Sequence, residues 1–185
     1  MSREINKIWR LATPYLKKGV RKNFIIHTLA VVRAVKLILN KEKVDSEILL
    51  PAAILHDVGW SKVPKYLQKS NNKKEQIIAL KLHLKYSPAI IKKILVKLHY
   101  NKDNIKKVID IVASHKFKNP KNINKRILID ADNLSEAFKK SFENDLKFYL
   151  QTRQQLYNYR KKNKFYTKTA KDIFIKEINN RIKEK

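Results

Sequence analysis

His56-Asp57 is the pair best placed to do chemistry in this chain. It closes an apolar run, Ile48, Leu49, Leu50, Ala52, Ala53, Ile54 and Leu55, that leaves no polar face, so the run carries the pair into the interior. Burying an imidazole beside a carboxylate is costly unless both are hydrogen-bonded, paired or bound to a metal. Three more histidines sit in similar surroundings. His27 lies inside an apolar segment from Phe24 to Ile38, His83 shares a face with Ala79 and Leu80, and His115 ends the stripe of Val108, Ile111 and Val112. A lone core histidine reads more readily as a hydrogen-bonded structural residue. Four of five histidines on apolar faces, in a chain whose surface is lysine, is not what solvent exposure produces. Of the carboxylates in Asp130-Ala131-Asp132, Asp132 shares a face with Leu128 and Ile129, while Asp130 neighbours Ile127 and Leu134; periodicity does not choose between them. There is no cysteine, which excludes disulfides, thiolate ligands and thiol nucleophiles.

The elements that must carry these residues read as helices throughout. Glycine occurs only at 19 and 59 and proline at five positions, with helical apolar spacing between them, which indicates an all-α protein. A first helix is expected over about Glu4 to Ala12, stopping near Thr13-Pro14, and a core helix over about Asn23 to Leu39. Asp45 or Ser46 caps a third, which contains Pro51 and ends at Asp57-Val58-Gly59 with Gly59 as its C-cap. Trp60 to Ser70 reads as a loop or a short helical turn. A helix from about Lys73 to Lys85 carries His83, and Ser87-Pro88 is a start signal for another that runs through Ile90, Ile91, Ile94 and Leu95. Asn101 caps the helix leading to His115, and His99 before it reads as a surface or capping residue. Ile123 to Phe138 holds the two aspartates, a long polar helix covers about Glu143 to Lys162, and a last one is capped by Thr167 or Thr169. No linker or repeat divides the chain, so one domain is expected over 1–185, its core about 20–140 with the helices of 141–185 packed on it.

The net charge is +27. A basic surface attracts phosphates, but lysine outnumbers arginine 35 to 8 and the basic residues are spread along the whole chain. Base-edge recognition favours the planar arginine fork. A solvated lysine surface that draws in small anionic substrates is therefore the main reading, with nucleic acid a lesser partner and no membrane. Such a charge also discourages close self-association. No apolar stretch approaches the roughly 20 residues that span a bilayer, and Met1 to Lys7 has no signal-peptide core; a cytoplasmic protein is expected.

The ordered set His27, His56-Asp57, His83, His115 and Asp132 resembles the H…HD…H…H…D pattern of the HD-domain metal-dependent phosphohydrolases. The context is similar too: Ala52-Ala-Ile-Leu-His-Asp-Val-Gly-Trp60, Ile109-Asp-Ile-Val-Ala-Ser-His115, Leu128-Ile-Asp-Ala-Asp-Asn-Leu134 and the tail Phe165-Tyr-Thr-Lys-Thr-Ala170. The resemblance implies an all-helical bundle of HD type with a metal at its centre. It implies His27, His56, Asp57 and Asp132 as the primary ligands, taking the second aspartate of Asp-Ala-Asp. It gives His83 and His115 either to a second metal bridged by Asp57 or to the substrate phosphate, so that Asp57, His83 and His115 are the implied catalytic residues.

Histidine and carboxylate ligands leave Fe, Mn, Co, Ni, Zn and Mg all open, as one ion or two. A divalent ion acidifies water and stabilises charge on phosphoryl oxygens, which suits hydrolysis of a phosphate ester or anhydride of a nucleotide or similar molecule. Lys62 and Lys65, just after the motif, are candidates to bind substrate phosphate; where many family members place a lysine directly after HD-x-Gly, this chain has Trp60. Trp60 reads as core cover before it reads as a platform for a base. The aromatic and basic cluster of Tyr157, Tyr159, Arg160, Lys161, Lys162, Lys164, Phe165 and Tyr166 has the composition of a single-strand platform, but packing of the last two helices accounts for it first. Two other functions stay open: an HD-type diiron oxygenase, and a non-catalytic helical protein that binds nucleotide or nucleic acid.

Overall fold

The structure, a computed structural model, describes residues 3–20, 24–116 and 119–184. It is helical throughout, and no strand occurs among the described residues. The helices are α1 (Arg3–Leu16), α2 (Phe24–Leu39), α3 (Ser46–Leu55), α4 (Lys65–Lys69), α5 (Lys73–Lys97), α6 (Lys102–Val112), α7 (Ile123–Ser135), α8 (Lys139–Tyr149), α9 (Arg153–Arg160) and α10 (Lys168–Lys183), with a 3-10 turn over Val58–Lys62. Asn23, the expected start of the second helix, lies outside the described residues, as does part of the segment between His115 and Ile123.

α3 is the centre of the bundle. Pro51 through Leu55 are all buried, and α1, α2, α6 and α7 pack around them. Full burial of a Leu or Ile side chain contributes about 1.5–3 kcal/mol, so Leu49, Ile54 and Leu55 help offset the polar pair that follows them. Asp45 caps α3 by accepting from the Glu47 N–H, and Asn101 caps α6 through the N–H groups of Asp103 and Asn104. α6 thus delivers His115 where its stripe pointed. His99 has φ 58° and sits in the turn that ends α5, with Tyr100 N donating to Leu95 O at 3.0 Å. It is a capping residue.

Four expectations about helix ends are corrected. α1 runs through Pro14 to Leu16, because Ile5, Ile8, Ala12 and Leu16 form one buried stripe and its docking outweighs the single bond Pro14 cannot donate. Ser87-Pro88 starts no helix: α5 is one 25-residue helix. Its buried residues Ala79, His83, Ser87, Ile90, Ile91, Ile94 and Leu95 keep one helical stripe across the proline. Gly59 is not a C-cap. α3 ends at Leu55, and Gly59 lies inside the 3-10 turn with no positive φ. The polar helix of 143–162 is two helices, broken where Leu150 turns left-handed at φ 51° and Thr152 begins α9 with a capping box to Gln155.

The last helices close over the core from one side. α8 and α10 both pack on α2, and α10 also packs on α7. Arg160 of α9 is buried in an ion pair with Asp145 and also donates to the Glu136 carbonyl at 2.8 Å. That pairing ties the aromatic and basic cluster into the fold. Thr167 caps α10, as one of the two threonines was expected to.

Candidate metal centre

Five parts of the chain meet at one buried point. α2 brings His27, the turn after α3 brings His56 and Asp57, α5 brings His83, the end of α6 brings His115, and α7 brings Asp132. All six are buried. His27 Nε2 stands 3.2 Å from His56 Nε2, 3.5 Å from Asp57 Oδ2 and 3.2 Å from Asp132 Oδ1. His56 Nε2 is 3.3 Å from Asp57 Oδ2 and 4.0 Å from Asp132 Oδ1. Ligands bonded at about 2.1 Å to one ion stand about 3–3.5 Å apart side by side and about 4 Å across it. His27, His56 and Asp57 are close enough together to hold one divalent ion, and Asp132 stands beside them against His27. A second group, Asp57, His83 and His115, shares the aspartate: His83 Nε2 lies 3.9 Å from Asp57 Oδ1 and 3.4 Å from His115 Nε2.

Local helix geometry aims the rings. The Nδ1 of His56 bonds the Ala53 carbonyl at 2.8 Å, and that of His115 bonds the Val112 carbonyl at 2.6 Å. Each bond places a proton on Nδ1 and turns Nε2 toward the cluster. The Leu80 carbonyl stands in the same relation to His83, though outside good hydrogen-bond geometry. Ser135 Oγ lies 3.4 Å from His27 Nδ1 and donates to the Asp132 carbonyl, so α7 steadies α2's histidine.

The structure separates the two aspartates of α7. Asp132 faces His27, whereas Asp130 accepts from Tyr166 N, Thr167 N and Thr167 Oγ1 at 2.7–2.8 Å. Asp130 anchors the chain entering α10, which gives the tail segment around Phe165 to Ala170 its place. Lys62 and Lys65 are both exposed, and no ion pair joins either to the cluster among the described residues.

The lysine at the centre is Lys116, which the sequence reading passed over. Its Nζ pairs with Asp132 Oδ2 while its side chain stays 32% exposed, so it stands at the mouth of the cluster. Its position after His115 was the one available signal, in a chain with 35 lysines. Trp60 stacks on His83, centroids 4.6 Å apart and planes 5° apart, lies 5.9 Å from Phe24, and donates from Nε1 to Asp57 Oδ1 at 3.1 Å. It is thus engaged with the cluster and the core, and its N–H occupies the aspartate oxygen that faces His83.

Charges divide the four histidines. Burial alone would lower the pKa of His56, but Asp57 and Asp132 outweigh it and raise the group above its ordinary 6.5. Burial lowers His83 to about 4, with Lys116 and His56 adding to the effect against Asp57. His115 is lowered well below its ordinary value by burial and then by Lys116. Burial would raise Asp132, but Lys116 and His27 hold it well below the usual carboxylate range; Lys116 is in turn raised by Asp132 against its own burial. His83 and His115 are therefore neutral at pH 7, and Lys116 is charged.

A testable consequence is proton release. With the ion absent, His56 contributes stability that is full below pH 6.5 and is lost as pH rises through its raised folded value. A ligand must give up that proton. Ion uptake by chelator-treated protein, titrated calorimetrically in buffers of different ionisation enthalpy, is expected to release about one proton between pH 6.5 and that raised value.

The sequence model of the HD domain family matches residues 24–137, which include every member of the cluster. No curated protein sequence matches the chain. Among solved structures, a predicted HD superfamily hydrolase from an uncultured Thermotogales bacterium is similar in fold, with a TM-score of 0.66 at 18% identity, over 96% of this chain and 87% of that one.

Proposed function

The chain belongs to the HD domain family, and from that premise we infer that it is a metal-dependent phosphohydrolase, acting with one divalent ion on a phosphate ester or anhydride of a small nucleotide-like molecule. The observation that carries this reading is the convergence of His27 Nε2, His56 Nε2 and Asp57 Oδ2 at one-ion spacing, with Asp132 Oδ1 3.2 Å from His27 Nε2 and a lysine ammonium on its other oxygen. When bound, the ion supplies acidified water and charge stabilisation at phosphorus. The protein supplies the rest. Lys116 holds a positive charge at the mouth, where an incoming phosphate meets it. His83 and His115 are neutral rings beside Asp57 that can contact phosphoryl oxygens without repelling the ion. Trp60 keeps its ring against His83 and shields that side from water.

Elemental analysis of the purified protein, joined to a hydrolysis screen of nucleotides, dinucleoside polyphosphates and cyclic nucleotides, tests the reading. About one ion per chain and release of phosphate or nucleotide are expected. A protein that carries no ion and gains none on titration would sink it. The six donors favour a second reading, a two-iron centre that consumes oxygen, and turnover that requires oxygen would support that one.

Lys116 separates one ion from two. It cancels one of the two carboxylate charges, and Trp60 Nε1 occupies the Asp57 oxygen facing His83; both disfavour a second cation. A unit charge about 5 Å from a divalent ion repels it by several kcal/mol even with substantial screening. Lys116→Met is therefore expected to tighten ion binding about tenfold or more, and to raise KM for the phosphate substrate about tenfold. A merely structural lysine would weaken both.

A further inference from the structure

The basic residues are spread along the chain, but the acidic ones are not. Residues 58–102 contain eleven lysines and a single carboxylate, Glu75, against 32 basic and 15 acidic residues in the rest. This stretch is the 3-10 turn, α4 and α5, and α4 packs directly on α5. At 100° per residue, Lys74, Lys81, Lys85 and Lys92 fall within about 20° of one line along α5 and span about 27 Å of it. All four are exposed, and none has an ion pair among the described residues. On α6 and α10, by contrast, the lysines are interleaved with carboxylates, Asp103 and Asp110 on the one and Asp172 and Glu177 on the other.

His83 lies about 180° from this line, so the lysines point directly away from the buried cluster. They are not a clamp for a molecule bound there. We propose that this outer face of α5 is a docking surface for the phosphate backbone of double-stranded nucleic acid. Charge complementarity chooses a polyanion, and a row of lysines along one face of a helix suits the regular backbone of a duplex. Single strands are read by stacking on aromatic rings, and α5's one aromatic, Tyr86, is half-buried against Val63, Leu67 and Ala79. A membrane-lying helix sets aromatic and apolar residues opposite its charges; here the opposite face is occupied by the core. Lysine point charges without arginine give binding that is independent of sequence.

The test is the salt dependence of binding to a fluorescent 20-base-pair duplex, followed by anisotropy with the full-length protein. The combined variant Lys74→Gln, Lys81→Gln, Lys85→Gln and Lys92→Gln is expected to lose affinity about 100-fold at low salt. Its log–log salt slope should fall by about 3 to 4, since each neutralised phosphate contributes about 0.9. The control variant Lys168→Gln, Lys171→Gln, Lys176→Gln and Lys183→Gln on α10 carries the same charge change and should stay within about threefold of wild type. Glutamine is a good helix former, and the unfolding temperature of both variants checks that they fold. Equal losses in the two variants, or binding to phosphatidylserine vesicles without binding to the duplex, would overturn the proposal.

Discussion

Asp57→Ala is expected to abolish ion binding and phosphate release together, with kcat/KM lower by about 10³-fold or more. Asp57 is the one side chain that belongs to both groups of donors: Oδ2 faces His27 and His56, and Oδ1 faces His83. Its removal takes a charged ligand from the first group and the shared oxygen from the second. It also leaves Trp60 Nε1 without its acceptor, and leaves His56 without the nearer of its two carboxylates. The proton released on ion uptake should disappear with the ion affinity. Asp57→Asn keeps the shape and loses the charge, and should fall close to the alanine variant. Chelator-treated wild type should show the same loss of activity and recover when the ion is returned. Titration calorimetry on the three proteins decides the matter, and full-strength ion binding by Asp57→Ala would remove Asp57 from the centre.

Most of the centre is legible in the sequence because burying His and Asp on apolar stripes demands a reason, and six residues share one reason. Lys116 is not legible, since a lysine among 35 has no distinguishing spacing; only the fold shows that the turn after α6 folds its ammonium onto Asp132. The choice between Asp130 and Asp132 is undetermined by periodicity for a physical cause. Both are buried, one toward His27 and the other toward the Thr167 cap 37 residues later in the chain, and that partner is invisible to any local pattern.

Helix ends were legible where the cap is local. Asn101 and Asp45 accept from N–H groups two or three residues on, so their signals are complete in four residues. The Ser87-Pro88 signal is equally local but loses to tertiary packing: the stripe from Ala79 to Leu95 stays in register, and Ser87 Oγ turns back to the His83 carbonyl at 2.8 Å. The break at Leu150 could have been seen in Thr152-Arg-Gln-Gln155 spacing, for Thr152 and Gln155 form a complete capping box.

Gly59 has no room for a side chain. A Cβ there would lie 2.0 Å from the His83 carbonyl oxygen, 2.4 Å from Ser87 Oγ and 2.9 Å from the His83 carbonyl carbon. Its φ is not positive, so the glycine is required for space and not for conformation. The closest obstacle is helix backbone, which cannot rotate away. Gly59→Ala is therefore expected to destabilise by about 3 kcal/mol, at the upper end for overpacking, lowering Tm by about 6–12 °C in a chain of this size. Adding Ser87→Ala relieves the second contact but not the first, and should recover little. Gly19→Ala makes a useful contrast, because its Cβ would meet only the ring of Phe24, at 2.3 Å, and a side chain can shift. Thermal unfolding of the three proteins measures the difference. The same contact sets the spacing between the 3-10 turn and α5, and hence the stacking of Trp60 on His83. Gly59→Ala should accordingly weaken ion binding even below its unfolding temperature, whereas an alanine at 59 that costs under about 1 kcal/mol would show that α5 yields at this contact.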